Sequence, residues 1–238
     1  DSKVDLNSKI KEFSSITYLQ KIFSEKTSFL FNYTNIGHQT CYVDRDDLEL
    51  IRNLYYEAYR MGEIRQDLKL LEPVFRDADV VSMDFSALKQ SDAPGYFHPS
   101  PNGFYSEEAC QLARYCGLSD HLSVFFIGEV YPEYDRDQQT SQLAAEIIWY
   151  FIDGFSQRTV ETPDDSEHFT KFIVTMDSIE QDLVFYKSEQ TDRWWIEIPP
   201  LPGKKGRKRL IACSHEDYIL AGKKEIPDRW WKAYQKIN

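Results

Sequence analysis

The sequence has no apolar run long enough to cross a membrane. Its longest, such as Val124-Phe125-Phe126-Ile127, stop far short of the ~20 residues a spanning helix needs. It also lacks a low-complexity tract, cysteines at metal spacing, a Ser/His/Asp elbow, a phosphate-cradling glycine loop and a dinucleotide fingerprint. No thiol-held metal, nucleotide cradle or serine-nucleophile chemistry is therefore signalled. The four cysteines (Cys41, Cys110, Cys116, Cys213) read as reduced thiols of a cytoplasmic protein. No secretory signal precedes the first structured-looking residues. Positive charge is short as well, with 28 Lys and Arg against 39 Asp and Glu. The resulting net charge of -11 repels a phosphate backbone, so nucleic acid is not an expected partner. One basic cluster, Lys204-Lys205-Gly206-Arg207-Lys208-Arg209, sits among Pro and Gly and reads as a solvated loop.

What is present is enough apolar material, 42% of 238 residues, for one sizeable core, or for one core with a small appendage. Up to about residue 155, short apolar runs alternate with helical patterns, the mark of parallel α/β architecture. Phe29-Leu30-Phe31 leading to Ile36 reads as a strand. Asp46 and Asp47 favour a helix start, and Leu50, Ile51, Leu54, Tyr55, Ala58 and Met61 continue it at helical spacing to Gly62. Leu68 to Arg76 is helical or loop-like, and Ala78 to Met83 predicts a buried strand ending at Asp84. A Pro- and Gly-punctuated loop, Asp92 to Gly103, leads to a helix capped by Ser106 and ended by Gly117. Ser123 to Ile127 is a further strand, ending near Glu129. Leu143, Ile147, Phe151 and Phe155, flanked by Ala144, Ile148 and Ile152, predict a wide apolar stripe on a core helix.

Composition changes around residues 156–168, where Thr162-Pro163-Asp164-Asp165-Ser166 reads as a linker or exposed loop. The expected division is 1–160 for the α/β core and 161–238 for a small α+β appendage. There Phe172-Ile173-Val174, Leu183 to Tyr186 and Trp194 to Ile198 read as strands, the last two forming a hairpin. Ser214 caps a short helix, and Pro227 starts one carrying Trp230, Trp231 and Tyr234. The paired tryptophans have two readings, aromatic packing of a satellite cluster or a protein-binding face.

In open parallel sheets ligands bind beyond the carboxyl ends of the strands. Asp1 and Asp5, Asp84 and Glu129 fall at such places and together suggest a carboxylate-lined pocket. Their surroundings are distinctive. Asp79-Val-Val-Ser-Met-Asp84-Phe-Ser86, then Asp92-Ala-Pro-Gly95, then Gly128-Glu129-Val-Tyr131-Pro132, resembles the signature of the arginase/agmatinase/formiminoglutamase (ureohydrolase) family. The opening Asp1-Ser2-Lys3-Val4-Asp5 is similar to the family's Asp-x-His-x-Asp motif. Gly37-His38-Gln39 and Glu72-Pro73 to Asp79 are closest to the formiminoglutamase-like branch. The resemblance covers residues 1–155.

It implies a three-layer αβα fold with a mainly parallel sheet. Because the family carries opening strands and a further histidine ligand ahead of the first acidic motif, the 238 residues are expected to be the C-terminal portion of that domain. It further implies hydrolysis of a C–N bond by hydroxide bound between two manganese ions, with Asp1, Asp5 and Asp84 as metal ligands. Glu129 would be substrate-binding; His38, after a strand, reads either as a substrate-binding pocket residue or as a side chain that satisfies a local backbone group. Two positions depart from the motif: Lys3 stands at the histidine and Ser86 at the second aspartate. A protonated lysine offers no lone pair, and its charge opposes a cation within ~4 Å. Tyr131 stands where Asn is usual. The expectation is a ureohydrolase-fold binding or scaffold module without di-manganese catalysis or a cofactor, Lys3 standing in for one ion. The alternative is a manganese-dependent C–N hydrolase of formiminoglutamate-like or guanidino substrates. A third makes the Trp-rich C-terminal part, with Trp194, Trp195, Trp230, Trp231 and the basic loop, the docking site for a protein partner. Relatives' assembly also raises the expectation of a homo-oligomer.

Overall fold

The computed structural model describes residues 1–6, 12–14, 17–24, 30–163, 168–177, 179, 181–200 and 208–237. The chain forms two compact units, Asp1–Arg158 and Thr159–Asn238. The first contains α1 (Tyr18–Ser24), β1 (Thr34–His38), α2 (Arg45–Asn53), β2 (Glu57–Arg60), α3 (Met61–Ile64) and α4 (Glu72–Arg76). It continues through β3 (Val80–Asp84), α5 (Ser106–Leu118), β4 (Val124–Gly128) and α6 (Gln139–Ser156). Among the described residues its strands form two parallel pairs, β1 with β2 and β3 with β4.

The helix expected from Asp46 to Gly62 is shorter and is followed by a strand. α2 ends at Asn53, and Tyr55 takes a left-handed backbone (φ 57°) that no helix continues through. Ala58 then sits on β2, opposite Asn35 of β1, and Met61 opens α3. The helical spacing of Leu50 and Leu54 is real, yet both side chains are exposed and only Ile51 enters a core. Pairing with β1 therefore overrides the local pattern. Phe29 lies outside the described residues, and β1 begins at Thr34.

β3 and β4 run in register, Val80 opposite Val124 and Asp84 opposite Gly128. One face of this pair, with Val81, Met83, Phe125 and Ile127, packs on the core that α5 and α6 cover. The Phe125 ring stacks on Phe151 of α6 at 4.6 Å. The other face leaves Val80, Val124 and Phe126 exposed, so β3 is not the doubly buried strand expected. α6 is likewise core on a narrower stripe than expected. Leu143 and Ile147 are buried, Ala144 and Phe151 pack partly, and Ile148, Ile152 and Phe155 face outward. α5 runs through Gly117 to Leu118, so that glycine is not a terminator. It is a contact point: a Cβ on Gly117 would lie 2.2 Å from the Phe151 carbonyl oxygen, and one on Gly154 2.3 Å from that of Arg114.

The second unit is an antiparallel sheet in the order β5 (Phe169–Val174), β6 (Leu183–Ser188), β7 (Trp194–Ile198), β8 (Arg209–Cys213), with α7 (His215–Gly222) and α8 (Asp228–Ile237). β6 and β7 form the expected hairpin. The Ser214 hydroxyl caps α7 by accepting from Asp217 N at 3.1 Å. Glu161 accepts from the hydroxyls of Ser188 and Thr191, which fastens the described part of the expected linker to the hairpin. Asp164 to Ser166 and Lys204 to Arg207 lie outside the described residues. Lys208 pairs with buried Glu197 at 2.9 Å. No helix among the described residues is long and apolar enough to cross a membrane.

A carboxylate pocket walled by tyrosines

The Asp1–Lys3 segment lies along β1. Asp1 N donates to Ile36 O at 3.0 Å, Gln39 N to Ser2 O at 3.0 Å, and Asn35 Nδ2 to Lys3 O at 2.7 Å. Its side chains meet the turn that follows β3. Ser86 Oγ donates to Asp1 Oδ1 at 3.2 Å and accepts from Ser2 Oγ at 3.2 Å, while Ser86 N donates to Asp84 Oδ1 at 2.7 Å. Ser86, shorter and neutral where the motif has aspartate, thus ties two of the carboxylates to backbone and hydroxyl donors.

Asp5, Asp84 and Glu129 share one electrostatic environment. The Asp5 carboxyl is pushed up to about 6, first by burial and next by Asp84, with Glu129 adding and Lys3 opposing. Lys3 is half-buried and forms no ion pair with Asp1, Asp5 or Asp84. The ammonium expected to stand in for one ion therefore makes no direct contact with these carboxylates, and it acts on Asp5 through the field. Lys3 and Asp5 line an open cavity of ≈ 300 Å³ with Cys41, Tyr42, Asp44 and Asp47.

Two tyrosines face the same carboxylates and were not singled out from sequence. Tyr18 on α1 is pushed up to about 12 by burial, then by Asp5 and Asp84. Tyr96, next to the Ala-Pro-Gly95 turn, is pushed up to about 12 by burial, then by Glu129 and Asp84. Only the Gly95-Tyr96 adjacency hinted at the second, because Gly95 is where two loops touch. Gly95 N donates to Thr140 Oγ1 at 2.7 Å, and Tyr131 N donates to Gly95 O at 3.2 Å. Asp135 anchors that junction by accepting from Thr140 N, Ser141 N and Ser141 Oγ.

Glu129 itself sits at φ 61°, a left-handed conformation that a glutamate adopts only when its surroundings hold it there. The Tyr131 hydroxyl supplies one restraint, donating to Glu129 Oε2 at 2.6 Å, and that bond pushes its own ionisation up to about 12. The Tyr131 ring lies 5.9 Å from Tyr96 and 6.1 Å from Tyr134, and Phe97 lies 5.8 Å from Tyr134. Aromatic rings thus cluster beside Glu129.

His38 does not join this group. It is buried at the end of β1, where burial lowers its basicity, and its ring faces Glu63, the Tyr59 carbonyl and Arg60. Nor do the donors suit a metal pair. Among the described residues no three His, Cys, Asp or Glu side chains converge as ligands. Asp1 Oδ1 is taken by Lys3 N at 2.9 Å as well as by Ser86. Two manganese ions would need several hard donors each, and these residues do not fit them. The tryptophans of the C-terminal part lie mostly in its interior. Trp194, Trp195 and Trp230 are buried in the second unit, Trp230 with its indole N–H on Glu197 O at 2.9 Å, and only Trp231 of the four is exposed.

Comparison with known proteins bears on the fold and the family. Curated formimidoylglutamases of Staphylococcus haemolyticus and Bacillus subtilis are 32% and 30% identical over 84 and 90 residues, 34% and 37% of this chain and 27% and 28% of theirs. Among solved structures, a Trypanosoma cruzi formiminoglutamase with manganese superimposes with a TM-score of 0.60 at 21% identity, covering 67% of this chain and 56% of that one. The Bacillus subtilis formimidoylglutamase structure gives 0.59 at 21%, covering 67% and 52%. The chain thus spans about half the length of the structures it matches, and those matches establish an arginase-like α/β fold. The arginase family profile itself matches residues 1–153, so the chain belongs to the arginase family.

Proposed function

We propose that this chain is an arginase-family binding or scaffold module that works without a di-manganese centre, its carboxylate pocket holding a cationic group. The observation that carries the reading is the pairing of Lys3 with Ser86. The first puts a cation at a ligand position, and the second spends its hydroxyl and amide on Asp1 and Asp84. Asp5, Asp84 and Glu129 remain as a negative pocket that needs positive charge. The scaffold we infer is the three-layer αβα arrangement with one continuous parallel sheet. Its support is the Asp1–Lys3 segment, bonded to β1 by backbone and to the turn after β3 by side chains.

Metal analysis of the chain purified with manganese tests the reading. Well under one ion per chain is expected, and two stoichiometric ions would overturn it. The second reading, a manganese-dependent C–N hydrolase, is favoured by the names of the relatives and by the retained acidic residues. Turnover of formimino or guanidino compounds, followed as released formamide, ammonia or urea with manganese added, would support it. No turnover on any of them is the outcome expected here.

A further inference from the structure

α6 is apolar on two sides, and the core of its own unit accounts for only one of them. Leu143 and Ile147 enter that core. On the outer side Ser141, Ala145, Ile148, Trp149, Ile152 and Phe155 fall at helical spacing on one face, a stripe about 21 Å long at 1.5 Å per residue. Its large members are open to solvent, Trp149 by 61%, Ile152 by 57%, Phe155 by 53% and Ile148 by 47%. The stripe holds no charged residue in a chain that is 28% charged, and Glu146 and Asp153 of the same helix lie off it. The Ser141 hydroxyl is already spent, donating to Asp135 Oδ2 at 2.7 Å. The Tyr150 ring abuts Trp149 edge-on at 5.1 Å and holds the indole in place. A helix that is apolar both inward and outward is one that a further surface covers.

Shape, charge and area point to a second copy of the chain as that surface. The stripe is graded in size, with Ser141 and Ala145 small at its N-terminal end and Ile152 and Phe155 large at its C-terminal end. Two copies laid antiparallel about a point between Ile148 and Trp149 set Ala145 against Ile152 and Ser141 against Phe155, so each large side chain meets a small one. Laid parallel, they would crowd Phe155 on Phe155 and leave a gap at Ser141. Two chains of net charge -11 repel each other, and a contact along this stripe brings no like charges together. The four large side chains expose on the order of 450 Å², over half of the ~800 Å² each partner gives to a standard interface.

We propose that α6 is a dimerisation helix: two copies of this chain pair through the stripe, antiparallel, about a two-fold axis between Ile148 and Trp149. The pairing is independent of what the carboxylate pocket holds. Because the interface is of modest size, the dimer dissociates on dilution, and the chain folds without it.

Sedimentation equilibrium of the purified chain, from about 1 to about 200 μM, is the first test. The mass is expected to rise from one copy to two with a Kd on the order of 10 μM. Ile152→Lys puts a charge in the middle of the stripe and should weaken pairing by about 50-fold, while its melting temperature in dilute solution stays that of the parent. Glu146→Lys adds a lysine to the same helix off the stripe and should change the Kd by less than about three-fold. The second test reads the direction of pairing by oxidative cross-linking. Cys41 is the exposed cysteine and Cys110, Cys116 and Cys213 are buried, so a Cys41→Ser chain serves as the background. Chains carrying Ala145→Cys and chains carrying Ile152→Cys, mixed and oxidised, should form disulfides between unlike chains in clear excess over like pairs. A single-copy mass at every concentration would overturn the proposal, as it would if the second unit of the chain covered the stripe instead. A dimer that Ile152→Lys leaves intact, or an excess of like pairs, would overturn it as well.

Discussion

Asp5 is the residue at which the pocket's charge has a measurable consequence for the whole chain. Its carboxyl holds a proton up to about pH 6 when folded, against an ordinary value of 3.8. Between those values the folded state binds more protons than the unfolded one. Stability therefore falls as pH rises through that window, and the full penalty is present above it. Asp5→Asn removes the titrating group and keeps the shape. It should exceed the parent in stability at pH 7.5 by on the order of 1–2 kcal/mol, less than a two-unit shift converts to because the pocket is open to solvent. The gap should close by pH 4. Denaturant melts across that range in chelator-containing buffer provide the check, and a gap independent of pH would mean that Asp5 does not carry the charge strain. Much of this site was legible in the sequence, since Asp5, Asp84, Glu129, Lys3 and Ser86 stand at motif positions. Tyr18 and Tyr96 were not, because a hydroxyl's place in another group's field depends on which loops touch. Of the two readings of His38, the structure shows the local one: at the end of β1, past a register irregularity, its ring bonds the Tyr59 backbone.

Among the elements, α5 and α6 show why periodicity reveals a helix and not the width of its buried face. The stripe residues from Leu143 to Phe155 all fit helical spacing, yet Ile147 is fully buried and its neighbour Ile148 is 47% exposed. The contact line is set by two glycines, Gly117 and Gly154, where the helix backbones touch. A glycine inside a helix costs about 1 kcal/mol relative to alanine, so an exposed Gly154→Ala would stabilise α6. Here the added Cβ meets the Arg114 carbonyl oxygen at 2.3 Å, a backbone atom that cannot swing aside. Overpacking of that kind costs about 1–3 kcal/mol or more, and it outweighs the propensity gain. Gly154→Ala is therefore expected to lower stability by about 1–2 kcal/mol net, read as a reduced denaturant midpoint with unchanged slope. A stabilised variant would show that the two helices separate freely. The same competition explains β2: its residues carry helical spacing, and the parallel register with β1 and the left-handed turn at Tyr55 decide against it. Neither signal is local enough to read from a window of sequence.

For the molecule as a whole, the first unit carries two apolar surfaces that its own chain, as described, leaves exposed, on opposite sides of the α6–sheet layer. Val80, Val124 and Phe126 stand on one side of the β3–β4 pair, and Trp149, Ile152 and Phe155 stand on the outer surface of α6. Parallel strands are ordinarily covered on both faces, and exposed apolar side chains of this size and number mark surfaces that bind something. The sequence did announce these residues as apolar, and the reading of Val80, Ile152 and Phe155 as core followed from treating an apolar run or stripe as buried throughout. What it could not announce is that helices cover only one side of the pair. In water such a face binds dyes and copies of itself. The isolated chain is expected to bind an apolar fluorophore such as ANS and to sediment with a concentration-dependent mass. Replacing Phe126 and Trp149 together by lysine should suppress both effects. It should also leave the melting temperature nearly unchanged, because exposed side chains contribute within about 0.5 kcal/mol each to folding. Phe125, which stacks on Phe151 from the opposite face, is the contrast: Phe125→Ala should lower stability by about 3 kcal/mol and leave self-association in place. Equal loss of stability in the two cases would mean that Phe126 and Trp149 are buried in the folded chain, and the assignment of an open face would then be withdrawn.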